Sequence, residues 1–165
     1  MTDSHTVTLL MTEFVTHDTK RFLVTKPDGF DYDAGQGVEM AINTPRWKDE
    51  WRPFTPTSLQ RDKVLEFIIK GYPDHDGVTE QLHGLEPGAE LLLSDVFGTI
   101  KYQGPGVFIA AGAGITPFIA ICREQHEQNK IEGSTLLFTN KTPADVILER
   151  ELRHYFGDRC LMTCT

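Results

Sequence analysis

Short runs of β-branched and aromatic residues, separated by turn residues, make up most of the first hundred positions. Val, Ile, Thr and Phe favour strands, whereas clusters of Gly, Pro, Asn and Asp favour turns. A short helix is predicted over residues 78–85, because Leu82 and Leu85 then share one face. The pattern predicts strands over residues 6–15, 19–25, 37–42, 54–58, 64–70, 88–94 and 98–102. Strands at such regular spacing predict a small antiparallel β-barrel.

The pattern changes at residues 103–106, which read Gln-Gly-Pro-Gly. Beyond this point apolar strand patterns alternate with amphipathic helix patterns, which is typical of a parallel α/β sheet. The predicted strands cover residues 107–111, 134–139 and 160–163, and the predicted helices cover residues 118–128 and 144–156. These five elements make one mononucleotide-binding half of a doubly wound sheet. We therefore expect two domains, an antiparallel β-barrel over residues 1–103 and a partial α/β nucleotide-binding domain over residues 104–165.

A glycine-containing segment follows the first strand of the second predicted domain, with the sequence Gly-Ala-Gly-Ile-Thr-Pro at residues 112–117. Glycine lacks a Cβ atom, so the backbone can turn sharply there and its amides can approach a ligand closely. The start of the following helix favours negative charge, such as a dinucleotide pyrophosphate. Because Pro117 replaces the third glycine of the dinucleotide fingerprint, the motif alone agrees equally with a purely structural turn.

Composition and charge exclude several classes of function. The 165 residues are 39% hydrophobic, which is enough for a real core, and carry a formal net charge of −8. This charge argues against binding to nucleic acids or anionic membranes, which requires clustered Lys and Arg. No apolar run approaches the ~20 residues that span a bilayer. The six histidines have no metal-ligand spacing, so we expect no metal.

The three cysteines, Cys122, Cys160 and Cys164, form no Cys-x-x-Cys pair. Neither a disulfide framework nor a zinc site is therefore predicted, and a reducing cytoplasm fits best. Cys160 and Cys164 lie in an apolar run with a strand pattern, so we expect both to be buried and structural.

Three stretches in a fixed order resemble the ferredoxin-NADP reductase superfamily, and most of all its single-flavin flavodoxin reductase branch. They are residues 52–55 (Arg-Pro-Phe-Thr), 77–79 (Gly-Val-Thr) and the segment 112–117. Residues 140–142 (Asn-Lys-Thr), followed by Asp145 and Glu151-Leu152, extend the resemblance over nearly the whole chain. Residues 95–98 (Asp-Val-Phe-Gly) depart from the Gly-Pro that relatives have in the loop near the adenine.

The resemblance implies a flavin site on the barrel. A guanidinium pairs with the flavin phosphate, an aromatic ring packs on the flavin, and a small hydroxyl bonds the reactive ring nitrogen. Arg52, Phe54 and Thr55 match these groups, although the tetrapeptide alone would read as core aromatics beside a surface charge. Thr79, in the implied phosphate loop, would alone read as a helix cap. The implied flavin-binding residues are Arg52, Pro53, Phe54, Thr55, Ile69, Lys70, Tyr72, Gly77, Val78 and Thr79, with Thr55 as the catalytic group.

The resemblance also implies that a nicotinamide dinucleotide binds the second domain. Asn140 and Lys141 then lie where the adenine ribose is discriminated. The Lys141 cation pairs with a 2′-phosphate or is simply solvated, so the choice between NADH and NADPH stays open. The remaining implied contacts are Gly112, Gly114, Ile115, Thr116 and Pro117.

The function implied is that of an FAD-dependent oxidoreductase. It takes hydride from NAD(P)H and passes electrons to a carrier such as flavodoxin, ferredoxin or a haem protein. FMN is the less favoured flavin, and the oligomeric state stays open.

Members of the superfamily continue with further strands and a C-terminal Cys-Gly segment, which has no counterpart here, so we expect a longer protein. Two alternatives stay open. One is a flavin-binding electron-transfer module without its own complete NAD(P)H site. The other is an unrelated, colourless barrel with a regulatory nucleotide-binding half.

Overall fold

The first part of the chain folds as an antiparallel β-barrel in the computed structural model, which describes residues 4–73, 75–98 and 100–165. Within these residues, six strands pair in the order β4-β3-β6-β1-β2-β5. An isolated bridge between Pro56 and Phe67, and a 2.7 Å hydrogen bond from Thr57 N to Glu66 O, join the chain after β4 to β5 and nearly close the sheet. The predicted barrel is thereby confirmed. Its strands are β1 (His5–Phe14), β2 (Thr19–Thr25), β3 (Val38–Ile42), β4 (Arg52–Phe54), β5 (Val64–Lys70) and β6 (Glu90–Leu93).

The barrel interior is filled by alternate residues of its strands, as the period of two requires. Phe22 and Phe67, on the paired strands β2 and β5, lie directly opposite each other and are fully buried. The helix α1 (Val78–His83) adds Val78 and Leu82 to the same core. Each such large apolar side chain stabilises the barrel by about 1.5–3 kcal/mol relative to exposure.

The second part of the chain is an α/β unit, confirming that prediction as well. Within the described residues its strands lie parallel in the order β7-β8-β9, and two helices cover one face of the sheet. The opposite face leaves large apolar side chains in solvent, with Ile109 70% and Leu161 47% exposed. The elements are β7 (Val107–Ala111), α2 (Thr116–Glu127), β8 (Thr135–Asn140), α3 (Glu149–Phe156) and β9 (Cys160–Cys164).

Two predicted strands of the barrel differ in the structure. β4 covers Arg52–Phe54 and not residues 54–58, because Pro56 has no N–H to donate and forms only the isolated bridge. Residues 98 and 100–102 form no strand, and Thr99 lies outside the described residues. Gly98 has φ +98°, which breaks extended pairing after the Phe97 bridge to Gly37.

The helix predicted over residues 144–156 is interrupted. A 3-10 turn, Pro143–Asp145, is closed when the Asp145 carboxylate accepts hydrogen bonds from the Thr142 N–H and hydroxyl, both at 2.8 Å. Leu148 then takes φ +52°, and α3 begins only at Glu149. The Asp145 carboxylate thus gives the Thr142 N–H its hydrogen-bond partner within one short turn. The chain then leaves the helical conformation, and a separate helix begins after Leu148.

Smaller differences concern ends and burial. α2 begins at Thr116, two residues before the predicted start, since proline is well tolerated in a first helical turn. α1 ends at His83, before Leu85, and Gly88 at φ +99° delays β6 to Glu90. Cys160 is buried as predicted, but the prediction was wrong for Cys164, which is exposed at the end of β9. Among the described residues, the helices are all too short or too polar to cross a membrane.

Candidate functional site

A cleft of about 320 Å³ opens where β7 and β8 end and where the end of β5 meets them. The carboxyl ends of parallel strands are the usual place for a ligand in an open α/β sheet. The cleft joins predicted residues from both parts of the chain: Lys70 and Tyr72 from the barrel, and Gly112, Asn140 and Lys141 from the α/β unit. Its other lining residues are Ala111, Ala113, Thr139, Asp145 and Thr165.

The glycine turn forms one wall of this cleft. Gly112 has φ +50°, a left-handed conformation that favours glycine, and a 3-10 turn over Gly112–Ile115 leads directly into α2. An added Cβ on Gly114 would meet no described atom within 4 Å, so the space beside its backbone is open. Ile115 is fully buried, and the Thr116 hydroxyl donates to Ala113 O over 3.1 Å. The predicted strand, turn and helix are therefore all present.

The floor of the cleft holds polar groups that need partners. Asn140 is only 5% exposed, yet neither atom of its side-chain amide has a hydrogen-bond partner among the described residues. The buried Thr139 hydroxyl is in the same state within that part of the chain. Leaving a buried polar group unpaired costs about 1–3 kcal/mol. These groups fit a bound molecule with both donors and acceptors, as a nicotinamide dinucleotide has.

Charged groups of the barrel and the α/β unit meet at the mouth of the cleft. Nζ of Lys70 lies 2.9 Å from the Asp18 carboxylate, and Nε2 of His17 lies 3.6 Å from both Asp18 and Asp145. The hydrogen bond to Asp18 outweighs burial and raises the pKa of Lys70. Burial opposes the Asp18 charge, but hydrogen bonds from Lys70, Thr16 and Thr19 lower the pKa of that carboxyl. Because the Asp18 carboxylate is already paired with the Lys70 ammonium, we assign no metal to His17, Asp18 and Asp145.

The predicted flavin strand lies outside the cleft lining. Arg52 and Pro53 are exposed, while Phe54 is half-buried against the barrel core and Thr55 is half-buried. The Arg52 guanidinium donates to Trp51 O over 2.7 Å and to the Glu50 carboxylate over 3.3 Å. β4 pairs with β3, and α1 contacts β3 as well. The structure thus places the flavin strand and the predicted phosphate loop on neighbouring elements.

The predicted phosphate loop, residues 77–79, lies at the start of α1. Gly77 is the extended residue before α1, and Thr79 is the second residue within that helix. In the described part of the chain no side chain caps α1, so the reading of Thr79 as a helix cap is wrong. The side chains of Ile69 and Val78 are buried in the barrel core, which leaves their main chains for any ligand contact.

Several lining residues were missed by the sequence predictions. Ala111 and Thr139 end parallel strands, so the rule that ligands bind at carboxyl ends would have found them. Asp145 follows residues 140–142 in the stretch that extends the resemblance, but no role in the site was predicted for it. The meeting of Asp18 with Lys70 joins residues far apart in sequence, for which the pattern holds no signal.

Comparison with known families agrees with this architecture. Residues 6–102 match the model for the oxidoreductase FAD-binding domain, and residues 108–161 match the model for the oxidoreductase NAD-binding domain. The chain belongs to the ferredoxin-NADP reductase superfamily, as an FAD-binding barrel followed by an NAD-binding domain. The two matches thus give the chain one domain that binds FAD and one that binds NAD.

Curated relatives include the NADH-cytochrome b5 reductase 2 of Chaetomium globosum, 32% identical over 157 residues, which cover 85% of this chain and 43% of that protein. NADH-cytochrome b5 reductase 2-B of Vanderwaltozyma polyspora is 28% identical over 92% of this chain and 53% of its own length. The chain thus spans about half the length of the curated relatives it matches.

Solved structures show the same fold. A ferredoxin NADP+ reductase from Neisseria gonorrhoeae with bound FAD and NADP superposes with a TM-score of 0.81 at 18% identity, covering 98% of this chain and 67% of that one. The CS-b5R domains of human Ncb5or in the NAD+ form give a TM-score of 0.79 at 25% identity, covering 98% and 51%.

Proposed function

We propose that this chain is the flavin-binding and nucleotide-binding part of an oxidoreductase that takes hydride from NAD(P)H and passes electrons to a carrier protein. The carrier is a flavodoxin, a ferredoxin or a haem protein, and the name of the curated relative NADH-cytochrome b5 reductase 2-B supports a haem protein. The single observation that carries the proposal is the buried, unpartnered amide of Asn140 in a cleft beside the Gly112 turn, among the described residues. Such a site needs a ligand rich in hydrogen-bonding groups.

The flavin-side roles follow from the chemistry of the side chains. The Arg52 guanidinium pairs with the flavin phosphate, and the Thr55 hydroxyl donates to the reactive ring nitrogen. Phe54 offers its half-buried ring as an apolar surface. The main chain at Gly77 and the Thr79 hydroxyl receive the pyrophosphate, while Ile69, Pro53 and Val78 line the rest of the flavin site. Lys70 and Tyr72 serve both ligands, since they belong to the proposed flavin site and also line the cleft. When bound, FAD accepts hydride and releases electrons singly.

The nucleotide-side roles use the cleft. Amides of the turn from Gly112 to Thr116 approach the dinucleotide, and Thr116 and Pro117 lie toward its nicotinamide end. The Asn140 amide supplies a donor and an acceptor for the ribose. Lys141 is exposed at the rim of the cleft. It pairs with the 2′-phosphate of NADPH or, with NADH, stays solvated, so the experiment uses both nucleotides.

An anaerobic titration of the FAD-supplemented chain with NADH and NADPH separately tests this function. Bleaching of the oxidised-flavin absorbance supports it and names the donor. An unbleached spectrum with flavin bound overturns it. Asn140→Ala is expected to weaken nucleotide binding about five- to tenfold, as the loss of roughly 1–1.5 kcal/mol of hydrogen bonding implies. Ser134→Ala is the matched control, because Ser134 has a buried, unpartnered hydroxyl in the described structure but precedes the opposite end of β8.

A second candidate is a flavin-binding electron-transfer module without its own complete NAD(P)H site. The exposed apolar face of the three described parallel strands favours it, because such sheets are usually covered on both faces. This candidate predicts bound flavin that neither nucleotide reduces, so the same titration separates the two.

The proposed boundary between the flavin-binding and nucleotide-binding parts falls at residues 103–104.

We also propose that the protein resides in the cytoplasm, because its three cysteines are few and form no disulfide among the described residues. Cell fractionation with an antibody against the chain tests this location.

A further inference from the structure

The strand β5 divides its side chains between two environments. Leu65, Phe67 and Ile69 point into the barrel core. The alternate residues point the other way: Ile68 packs in the core of the α/β unit, and Lys70 lines the cleft. Glu66, which lies on the same outward side, faces a charged side chain of α2. The outer face of β5 is therefore the surface on which the α/β unit rests.

The charged side chain is Arg123, and it binds three elements at once. Its Nη1 donates to Thr57 O over 2.8 Å and to Oε1 of Glu66 over 2.6 Å. Its Nε and Nη2 donate to the two oxygens of the Glu151 carboxylate over 2.6 and 3.1 Å. The forked, planar guanidinium thus joins the chain after β4, the strand β5 and the helix α3. A lysine ammonium is a compact point charge and cannot donate to all of these groups in this planar arrangement.

The network is shielded from solvent. The Arg123 side chain is 18% exposed, and those of Glu66 and Glu151 are 14% and 25% exposed. Burial opposes the charge of Arg123, but the hydrogen bonds and attraction of the two carboxylates prevail and raise the pKa of Arg123. Thr57 also donates its hydroxyl to Glu66 over 2.7 Å. Removing one member of such a group leaves a buried charge uncompensated, which is strongly unfavourable.

The position of Arg123 connects the two halves of the proposed reaction site. Thr57 lies two residues after Thr55 on the barrel side. On the other side, Arg123 lies seven residues after Thr116, which is two helical turns or about 10 Å along α2. The start of α2 carries the glycine turn. One guanidinium thus ties the chain after β4, two residues from Thr55, to the helix that presents the turn.

We propose that Arg123 is a positioning residue, which holds the α/β unit at a fixed orientation on the barrel and thereby sets the spacing between Thr55 and the turn Gly112–Ile115. The consequence for hydride transfer rests on the proposed function, whereas the effect on orientation does not. A second ion pair, between Arg61 and Glu127, also joins the barrel to α2, but its side chains are 68% and 41% exposed. Exposed pairs contribute little, so this pair is the matched control.

The first arm of the test measures orientation. Residual dipolar couplings of backbone amides are recorded for the full, FAD-loaded chain as wild type, Arg123→Met and Arg61→Met. We expect one alignment tensor to describe β1–β6 and β7–β9 together in the wild type and Arg61→Met, and two different tensors in Arg123→Met. A single shared tensor in Arg123→Met overturns the proposal, whether or not the flavin is reduced by a nucleotide.

The second arm measures the rate constant of flavin reduction at saturating nucleotide by anaerobic stopped flow. We expect Arg123→Met to slow it roughly tenfold to hundredfold, because small misplacements of reacting groups have effects of that size. Flavin affinity and the rate in Arg61→Met stay at the wild-type level. Separate tensors with an unchanged rate overturn the positioning role. A wild type that neither nucleotide reduces contradicts the proposed function alone, since the couplings still decide the orientation.

Two milder variants guard against misfolding of Arg123→Met. Arg123→Lys keeps the charge but loses the fork, and Glu151→Gln removes one of the two carboxylate charges. Both are expected to reduce the rate constant less than Arg123→Met while leaving the far-ultraviolet circular dichroism unchanged. Folded variants with wild-type rates and a single tensor overturn the proposal.

Discussion

Nζ of Lys70 lies 2.9 Å from the carboxylate of Asp18, so the cation that lines the cleft is already paired with the turn before the neighbouring strand β2. Asp18→Asn removes the paired charge, while the amide oxygen still accepts hydrogen bonds from Thr16 and Thr19. The freed Lys70 ammonium then attracts an anionic nucleotide. We expect the Kd for the pyridine nucleotide to fall about two- to fivefold, the range for a partly exposed ion pair.

Calorimetric titration at low and high salt checks this expectation, because the gain should disappear when salt screens the charges. Asp33→Asn makes the same change of charge at an exposed residue that does not line the cleft. Equal tightening in Asp33→Asn would show that net charge alone, and not Lys70, is responsible.

Arg52→Ala is expected to weaken flavin retention by about 1.5–3 kcal/mol, the contribution of a charge-assisted hydrogen bond to phosphate. Equilibrium dialysis of the flavin measures this loss. Arg153→Ala is the control, because the Arg153 side chain is 51% exposed against 48% for Arg52 and also pairs with a nearby glutamate. Flavin affinity equal to that of the control removes Arg52 from the site.

Thr55→Val is expected to slow flavin reduction about three- to tenfold, which corresponds to the loss of one neutral hydrogen bond. Valine keeps the shape of the half-buried threonine, so the fold and the flavin affinity should stay intact. Stopped-flow reduction of Thr55→Val and of Thr12→Val, a similar change at a half-buried position of β1, measures the difference. An unaltered rate in Thr55→Val means that the hydroxyl does not contact the reacting nitrogen.

Gly71→Ala is expected to destabilise the barrel by about 1–3 kcal/mol, as overpacking does. A Cβ there would lie 2.7 Å from Nδ1 of His83, whose ring is held because its Nε2 donates to Ile69 O over 2.8 Å. Gly84→Ala is the control, since its Cβ would lie 3.5 Å from Gln81 O and the residue has an ordinary helical conformation. Urea unfolding should separate the two variants, and equal midpoints would contradict the predicted clash.

Acid should destabilise the protein in two stages. Burial lowers the pKa of His83 below its ordinary 6.5. Burial opposes the charge of Glu151, but hydrogen bonding to Arg123 prevails and lowers that pKa below 4.5. In each case the unfolded chain binds the proton more readily, so the free energy of unfolding decreases as pH falls through these values.

The melting temperature followed from pH 8 downward measures both stages. His83→Gln cannot take up the first proton, so the loss between pH 6.5 and 4.5 should shrink in that variant while the loss below 4.5 stays. An identical profile in His83→Gln would assign the first stage to another group.

Much of this molecule follows from local pattern. Alternation of apolar residues predicted most barrel strands, and the run from Val107 to the glycines predicted strand, turn and helix in that order. Gly112 takes a left-handed φ of +50°, and the sharp turn at this residue was predicted from the missing Cβ alone. The break before α3 was not predicted, because the turn that Asp145 closes lies at the start of a longer apolar pattern of helical period.

By itself, the sequence determined the two kinds of sheet, the flavin and nucleotide motifs and the superfamily, because these depend on periodicity and on residues close together in the chain. Only the tertiary structure decided which face of β5 receives the α/β unit and which groups meet there. Arg123 binds Thr57 and Glu66 across separations of 66 and 57 residues, and Lys70 binds Asp18. The Arg123 contacts depend on how the two sheets pack, and the Lys70–Asp18 pair depends on how β2 and β5 pair within the barrel. A pattern of period two or 3.6 encodes neither.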